Sequence, residues 1–168
     1  MTKFEINLKG WDKKSSDDIT AIYQLYCSDD LLTTKLINCL DNIDCQTAAS
    51  WLLKHHLEIK GEQSTDVSSR IYNRVYYLED WQSRLVILQS MNVLPIDQQS
   101  VKSVEAFVRN CLADSNKFVR AWAYNGFYLL AKQHSKFQGE AIQFFNLGMT
   151  DEPSSVKVRI RKCLEQGF

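Results

Sequence analysis

Acidic and basic side chains recur six residues apart near the C-terminal end, and such pairs could act as general acids and bases. Asp114 precedes Arg120 by six residues, and Asp151 precedes Lys157 by the same interval. The arrangement itself repeats, because the second pair follows the first after 37 residues. Structural contacts recur with each repeat of a chain, whereas a catalytic site is built once. We therefore interpret these four residues as structural and predict no catalytic residue.

The histidines and cysteines could hold a metal ion, but their spacing does not favour one. His55 and His56 are adjacent, so on a helix their side chains point about 100° apart. The five cysteines include no CxxC pair, and their odd number is typical of free thiols in a reducing compartment. No phosphate-binding glycine loop, HExxH or GxSxG motif occurs. We predict no metal site, no cofactor and a cytoplasmic location.

Composition and charge narrow the classes of partner. The 168 residues include 20 Lys and Arg against 20 Asp and Glu, so the formal net charge is zero. Proteins that bind nucleic acid over a wide surface carry a basic surplus, because phosphate neutralisation supplies most of that affinity. A nucleic-acid partner is therefore less favoured than a protein. No apolar run reaches the roughly 18 residues of a membrane span, and the N-terminus lacks the apolar run of a signal peptide.

The hydrophobic pattern predicts an all-α protein after a short N-terminal arm. Residues 3–8 alternate apolar and polar side chains as a strand does. This arm, residues 1–14, is either loosely extended or pairs with another copy of the chain. Residues 15–168 keep the helical period and are predicted to form a single domain. The predicted helices begin near Ser15, Leu31, Cys45, Val67, Asp80, Asp97, Asp114, Lys136 and Ser154.

A repeat of 36 or 37 residues organises most of the chain. It aligns Thr47, Arg84, Arg120 and Lys157, and the residues six positions earlier are Asp41, Leu78, Asp114 and Asp151. A turn bearing Asp, followed by a helix that opens with Val-Arg or Val-Lys, resembles the HEAT repeat. The resemblance covers residues 31–167 and is most specific over 101–167. It implies a right-handed α–α superhelix of about four helix pairs plus a leading helix. It also implies that Asp114 with Arg120, and Asp151 with Lys157, form a ladder between repeats.

The same resemblance implies where a partner would bind. In HEAT-like proteins the second helices of the pairs line the concave surface. Side chains opposite the apolar stripe of these helices are therefore the candidates, although some of them could instead pack between neighbouring repeats. The concave-face candidates are Trp51, His55, Arg84, Leu88, Tyr124, Tyr128 and Arg161.

We expect a non-enzymatic scaffold that binds a protein or peptide through its concave face. The alternative is a DNA-binding protein similar to the DNA-alkylation-repair glycosylases with HEAT-like repeats, for which Trp51, Trp81, Tyr124 and Asp80 could supply the aromatic and acidic groups. A lyase or chaperone acting on a cofactor protein is a third alternative, by analogy of fold alone. The N-terminal arm could also join two copies of the chain.

Overall fold

The chain is helical throughout, which confirms the predicted all-α class. The computed structural model describes residues 1–168 as ten α-helices and three 3₁₀ turns, without a β-strand. The α-helices are α1 (Lys3–Lys9), α2 (Ser16–Tyr26), α3 (Leu32–Cys39), α4 (Ile43–Lys60), α5 (Thr65–Tyr72), α6 (Trp81–Ser90), α7 (Val101–Leu112), α8 (Lys117–Gln133), α9 (Gln138–Asp151) and α10 (Ser154–Gln166). The 3₁₀ turns are Val75–Tyr77, Met91–Val93 and Ser135–Phe137. The lengths and apolar content of these helices fall short of what a bilayer crossing requires.

Small polar side chains fix where several helices begin. Ser15 caps α2 by accepting a hydrogen bond from the backbone N–H of Asp18. Asp80 caps α6 in the same way, through the N–H of Ser83 at 3.0 Å. Each cap satisfies a donor that the first helical turn leaves free. The predicted starts near Ser15 and Asp80 are therefore confirmed.

The N-terminal segment is a helix, so the predicted strand is wrong. Thr2 accepts from the N–H of Glu5 while the Glu5 carboxylate accepts from the N–H of Thr2, which is a capping box. Phe4 and Leu8 are buried, whereas Ile6 between them is 55% exposed. A spacing of four residues places Phe4 and Leu8 on one helical face. Because α1 packs against α4, residues 3–9 offer no free strand for pairing with a second copy.

The later helices pack in chain order. Helices α4, α6, α8 and α10 form one layer in which each contacts the next. Three further helices pack against this layer: α3 against α4, α7 against α8, and α9 against both α8 and α10. Helix α8 therefore has neighbours on several sides and lies at the centre of the core. Its open stripe consists of Phe118, Trp122, Asn125 and Leu129, which are exposed or half-buried.

Polar contacts at repeat spacing join consecutive helices of the layer. Thr47 of α4 donates to the carboxylate of Asp80 at 3.2 Å. Arg84 of α6 lies 3.3 Å from the Asp114 carboxylate before α8. Arg120 of α8 donates from Nε to the Glu152 carboxylate before α10 at 3.0 Å. Each contact links the start of one helix to the turn that precedes the next. We call these three contacts the rungs.

The rungs differ from the ladder that the resemblance implies. The Asp114 carboxylate, only 5% exposed, pairs with Arg84 of the preceding helix rather than with Arg120. Arg120 instead donates to the backbone carbonyl of Asp114 at 2.9 Å. Asp151 is exposed and forms no ion pair, and Lys157 donates to the Thr150 carbonyl. The acid that completes the last rung is Glu152, one residue beyond the predicted Asp151.

A buried hydrogen bond attaches α2 to α4. The hydroxyl of Tyr23 and Nδ1 of His56 are 2.9 Å apart, and both side chains are buried. Burial lowers the pKa of His56, and Lys60 and His55 lower it further. The neutral imidazole is therefore the form that the folded protein favours.

Acid should weaken the fold through His56. The unfolded chain binds a proton at this histidine below about pH 6.5, whereas the folded chain resists it. The His56 contribution to the free energy of unfolding is thus complete above that pH and is lost as the pH falls towards the lowered folded pKa. Thermal unfolding of the wild type should therefore show a larger decrease in Tm between pH 7.5 and pH 5.5 than His56→Gln. Equal decreases in the two proteins would contradict this role, and His134→Gln serves as the control.

Candidate functional site

Three of the four tryptophans converge on one groove at the open side of α4 and α6. Trp11 comes from the α1–α2 loop, Trp51 from α4 and Trp81 from the first residue of α6. The ring centroids of Trp11 and Trp51 are 6.4 Å apart. The groove has a volume of about 220 Å³. We call it the tryptophan groove, and its principal residues are Trp11, Lys13, Lys14, Trp51, Trp81 and Leu85.

The α1–α2 loop is held in shape by its own hydrogen bonds. The indole N–H of Trp11 donates to the Ser15 carbonyl at 2.7 Å. The Asp12 carboxylate accepts from the backbone N–H groups of Lys14 and Ser15, which lowers its pKa. Lys13 has a φ of 64°, in the left-handed region that a residue with a Cβ rarely adopts. Such strained residues cluster at functional sites, and this one lies at the edge of the groove.

Aromatic stacking fixes the floor of the groove. Trp51 stacks on His55 one turn later, with ring centroids 5.6 Å apart and ring planes 24° apart. Tyr23 also packs against His55, with ring centroids 4.7 Å apart and nearly perpendicular ring planes. Both Trp51 and His55 remain half-buried. Of the residues predicted to bind a partner, these two are brought together at an open surface.

The groove is positively charged. Lys13 and Lys14 line it, no carboxylate does, and neither lysine takes part in an ion pair. The nearby Asp80 carboxylate already accepts hydrogen bonds from Thr47 and Ser83. Lys14 also lies close enough to the Asp12 carboxyl to help lower its pKa. With two lysines that form no ion pair and a tryptophan surface, the groove suits an anionic group attached to an apolar or aromatic body.

Three predicted binding residues are buried, so the structure corrects their assignment. Leu88 is fully buried, Tyr128 is 2% exposed and Tyr124 is 7% exposed. Tyr124 packs against Phe145 of α9, and the Tyr128 hydroxyl donates to the Gly167 carbonyl at 3.0 Å. A partner cannot reach these side chains, because α8 is covered on the faces that carry them. They belong to the core.

The two predicted arginines lie away from the groove. Arg84 lines a different cavity, where its guanidinium also donates to the Glu79 carbonyl. Arg161 is exposed on α10 and forms no ion pair. The fourth tryptophan, Trp122, lies under the Arg159 guanidinium at 3.8 Å. Neither arginine is therefore positioned to assist Trp51.

The other residues of the tryptophan groove cannot be predicted by aligning the repeats. Trp11, Lys13 and Lys14 precede the first repeat, so aligning the repeats cannot place them. Trp81 begins α6, whereas Trp51 lies in the middle of α4, so the two tryptophans do not align either. The only local indication is chemical: a tryptophan followed closely by two lysines in a non-helical segment.

No protein-family model, curated protein or solved structure matches this chain significantly. No group of three His, Cys, Asp or Glu side chains is placed to hold a metal ion. The groups required by the DNA-repair alternative do not all meet: Trp51 and Trp81 share the groove and Asp80 lies beside it, but Tyr124 is buried in the core. The chemistry of the tryptophan groove is therefore the best guide to function.

Proposed function

We propose that this protein is a non-enzymatic interaction module that binds an acidic segment of a partner protein in the tryptophan groove. The supporting observation is the convergence of three tryptophans and two unpaired lysines on a groove without a carboxylate. Binding energy at protein interfaces concentrates in a few aromatic and basic anchors. An apolar or aromatic side chain of the partner enters between the indoles, and flanking carboxylates approach Lys13 and Lys14.

We also propose that the framework is a HEAT-like right-handed superhelix. Its four pairs, taken in chain order, are α3 with α4, α5 with α6, α7 with α8, and α9 with α10, and α2 leads them. The short helix α5 has few contacts with α6, whereas the helices of the other three pairs pack against each other. The ordered packing of α4, α6, α8 and α10 and the three rungs support this proposal. Stacked helix pairs bury their apolar faces against their neighbours and leave one extended surface for binding. The five free cysteines are compatible with a cytoplasmic location.

An acidic peptide is favoured over nucleic acid as the ligand. Indole rings and lysines suit stacked bases and phosphates as well as they suit a peptide. A nucleic-acid strand would need further phosphate contacts, but the chain has no surplus of basic residues. Its exposed bases are offset by an equal number of acids, whereas a short peptide needs only the groove and its two lysines.

Titration with designed peptides tests this function. The probe is an acetylated peptide with one phenylalanine between aspartates, and tryptophan fluorescence reports binding. We expect saturable binding that weakens as salt is added, because two lysines contribute. Trp81→Ala should weaken binding about tenfold, equivalent to about 1.4 kcal/mol. Trp81 is 39% exposed, so its removal should leave the fold unchanged.

Control experiments distinguish binding in the tryptophan groove from nonspecific binding of the peptide. Trp122→Ala removes a tryptophan outside the groove and should leave the affinity unchanged. A peptide with lysines in place of the aspartates should not bind, and Lys13→Gln with Lys14→Gln should remove most of the salt dependence. If a single-stranded oligonucleotide binds and the acidic peptide does not, the nucleic-acid alternative is correct. If neither binds, the groove is not the functional site.

A further inference from the structure

A second and larger cavity lies on another part of the surface. It has a volume of about 470 Å³ and opens between residues 72–78 and helix α7. It shares no residue with the tryptophan groove. Trp81 and Leu85 of α6 face the groove, whereas Arg84 lines this cavity, so α6 separates the two.

The cavity arises from an irregularity in the helix pairs. Helix α5 has only 8 residues, whereas α7 and α9, its counterparts in the next two pairs, have 12 and 14. After α5 the chain continues as the 3₁₀ turn Val75–Tyr77, and this turn packs against α7. A 3₁₀ turn of three residues covers less of the neighbouring helix than a continued α-helix would. The uncovered part of α7 forms one wall of the cavity.

The walls are fixed by contacts within the protein. The hydroxyl of the fully buried Tyr72 donates to the Leu94 carbonyl at 2.9 Å. Arg84 is held between the Glu79 carbonyl at 3.1 Å and the Asp114 carboxylate at 3.3 Å. A ligand would therefore enter a preformed site and would not have to order its walls.

The lining combines an apolar floor with cationic and hydrogen-bonding groups. Leu78 and Phe107 are 6% and 5% exposed and contribute small apolar areas, and the exposed side chains of Tyr76 and Ala106 provide the rest of the apolar surface. Lys102 and Arg84 are the charged residues of the lining, which contains no carboxylate. Lys102 forms no ion pair, and the buried Nε–H of Arg84 has no hydrogen-bond partner. Because the Asp114 carboxylate offsets the charge of Arg84, Lys102 is the cation of the lining that is available to pair with an oxyanion.

We propose that this cavity binds a small amphipathic anion. The apolar body of the ligand packs on Tyr76, Ala106 and Phe107. Its carboxylate or phosphate group pairs with Lys102. The volume falls within the range of small-molecule sites, which are mostly apolar with a few polar groups that fix orientation. This proposal is independent of peptide binding in the tryptophan groove.

Three matched probes test the charge requirement. Hexanoate, hexyl phosphate and hexanol share one apolar body and differ in the head group, and NMR shifts of the Ala106 and Phe107 amides locate the binding. We expect at least one anion to bind ten times more tightly than hexanol. The comparison of hexanoate with hexyl phosphate identifies the head group. Equal affinity for hexanol, or no binding to any probe, would overturn the proposal.

Two variants at exposed positions test the location. Lys102→Gln should weaken anion binding about tenfold and leave hexanol binding unchanged. Ala106→Trp should block the cavity and abolish binding of all three probes. Lys132→Gln removes an exposed lysine outside the cavity and should have no effect. Unchanged anion affinity in both Lys102→Gln and Ala106→Trp, with folding verified by circular dichroism, would place the binding elsewhere and refute the assignment.

Discussion

Replacing Arg120 with alanine should lower the free energy of unfolding by about 3–5 kcal/mol, because a buried charge loses its partner. The Glu152 carboxylate is 12% exposed and accepts from both Nε and Nη2 of Arg120. Without the guanidinium, the largely buried Glu152 carboxylate loses its cationic partner, and the Asp114 and Ser115 carbonyls lose a donor. Thermal unfolding should show a Tm lower by roughly 6–20 °C, at 2–4 °C for each kcal/mol.

Two further variants show whether the lost pair is the cause. Arg161→Ala removes an exposed arginine without an ion pair and should change stability by less than about 0.5 kcal/mol. The double change Arg120→Met with Glu152→Leu leaves no uncompensated charge, so it should recover most of the loss. If Arg120→Ala is as stable as Arg161→Ala, the rung is a surface contact of little value.

Alanine at two glycines of α9 should change stability in opposite directions. A Cβ at Gly148 would lie 2.6 Å from Ile160 Cδ1 and 2.6 Å from the Tyr124 hydroxyl. Both neighbours are buried, so Gly148→Ala should cost about 1–3 kcal/mol through overpacking. A Cβ at Gly139 would meet nothing within 4 Å, and alanine is the better helix former. Gly139→Ala should therefore gain up to about 1 kcal/mol. Urea unfolding of the two variants measures both signs.

The pair of glycine variants separates packing from helix propensity. If helix propensity alone decides the stability of the two variants, both substitutions stabilise the protein. Such a result would mean that α8 and α10 leave room for a methyl group at Gly148. Adding Tyr124→Phe to Gly148→Ala removes the nearest oxygen and should return part of the loss. No return would assign the cost to Ile160 and to the ring of residue 124, because Tyr124 Cζ would also lie 2.8 Å from the new Cβ.

The helix starts at Ser15 and Asp80 are predictable because they depend on local chemistry, whereas the start predicted near Asp97 is wrong, since α7 begins at Val101. Ser15 and Asp80 each satisfy an N–H within their own first turn, and no distant residue decides the outcome. The N-terminal strand was mispredicted from alternation over only six residues, a length at which strand and helix patterns overlap. Thr2 and Glu5, at the spacing of a capping box, carried the information that distinguishes the two.

The exposed side of α8 could not be read from its own sequence. The spacing of apolar residues in α8 predicts one buried stripe and places Tyr124 and Tyr128, on the opposite side, in solvent. Helix α8 contacts four other helices, so Tyr124 and Tyr128 on that side are also buried. The number of neighbours around a helix is a tertiary property. The same limitation applies to the tryptophan groove, which is formed by a loop and two helices distant in sequence.

The tryptophan groove is formed by the α1–α2 loop together with α4 and α6, so it exists only while the N-terminal helices stay packed on the rest of the protein. Its cationic part belongs to the α1–α2 loop, and α2 is attached to α4 by the hydrogen bond between Tyr23 and His56. A fluctuation that detaches the first two helices would abolish the groove while α6 to α10 stay folded. A bound peptide should then slow amide hydrogen exchange across residues 3–26 far more than in α8. The reason is that peptide binding suppresses only those unfolding events in which the groove is lost.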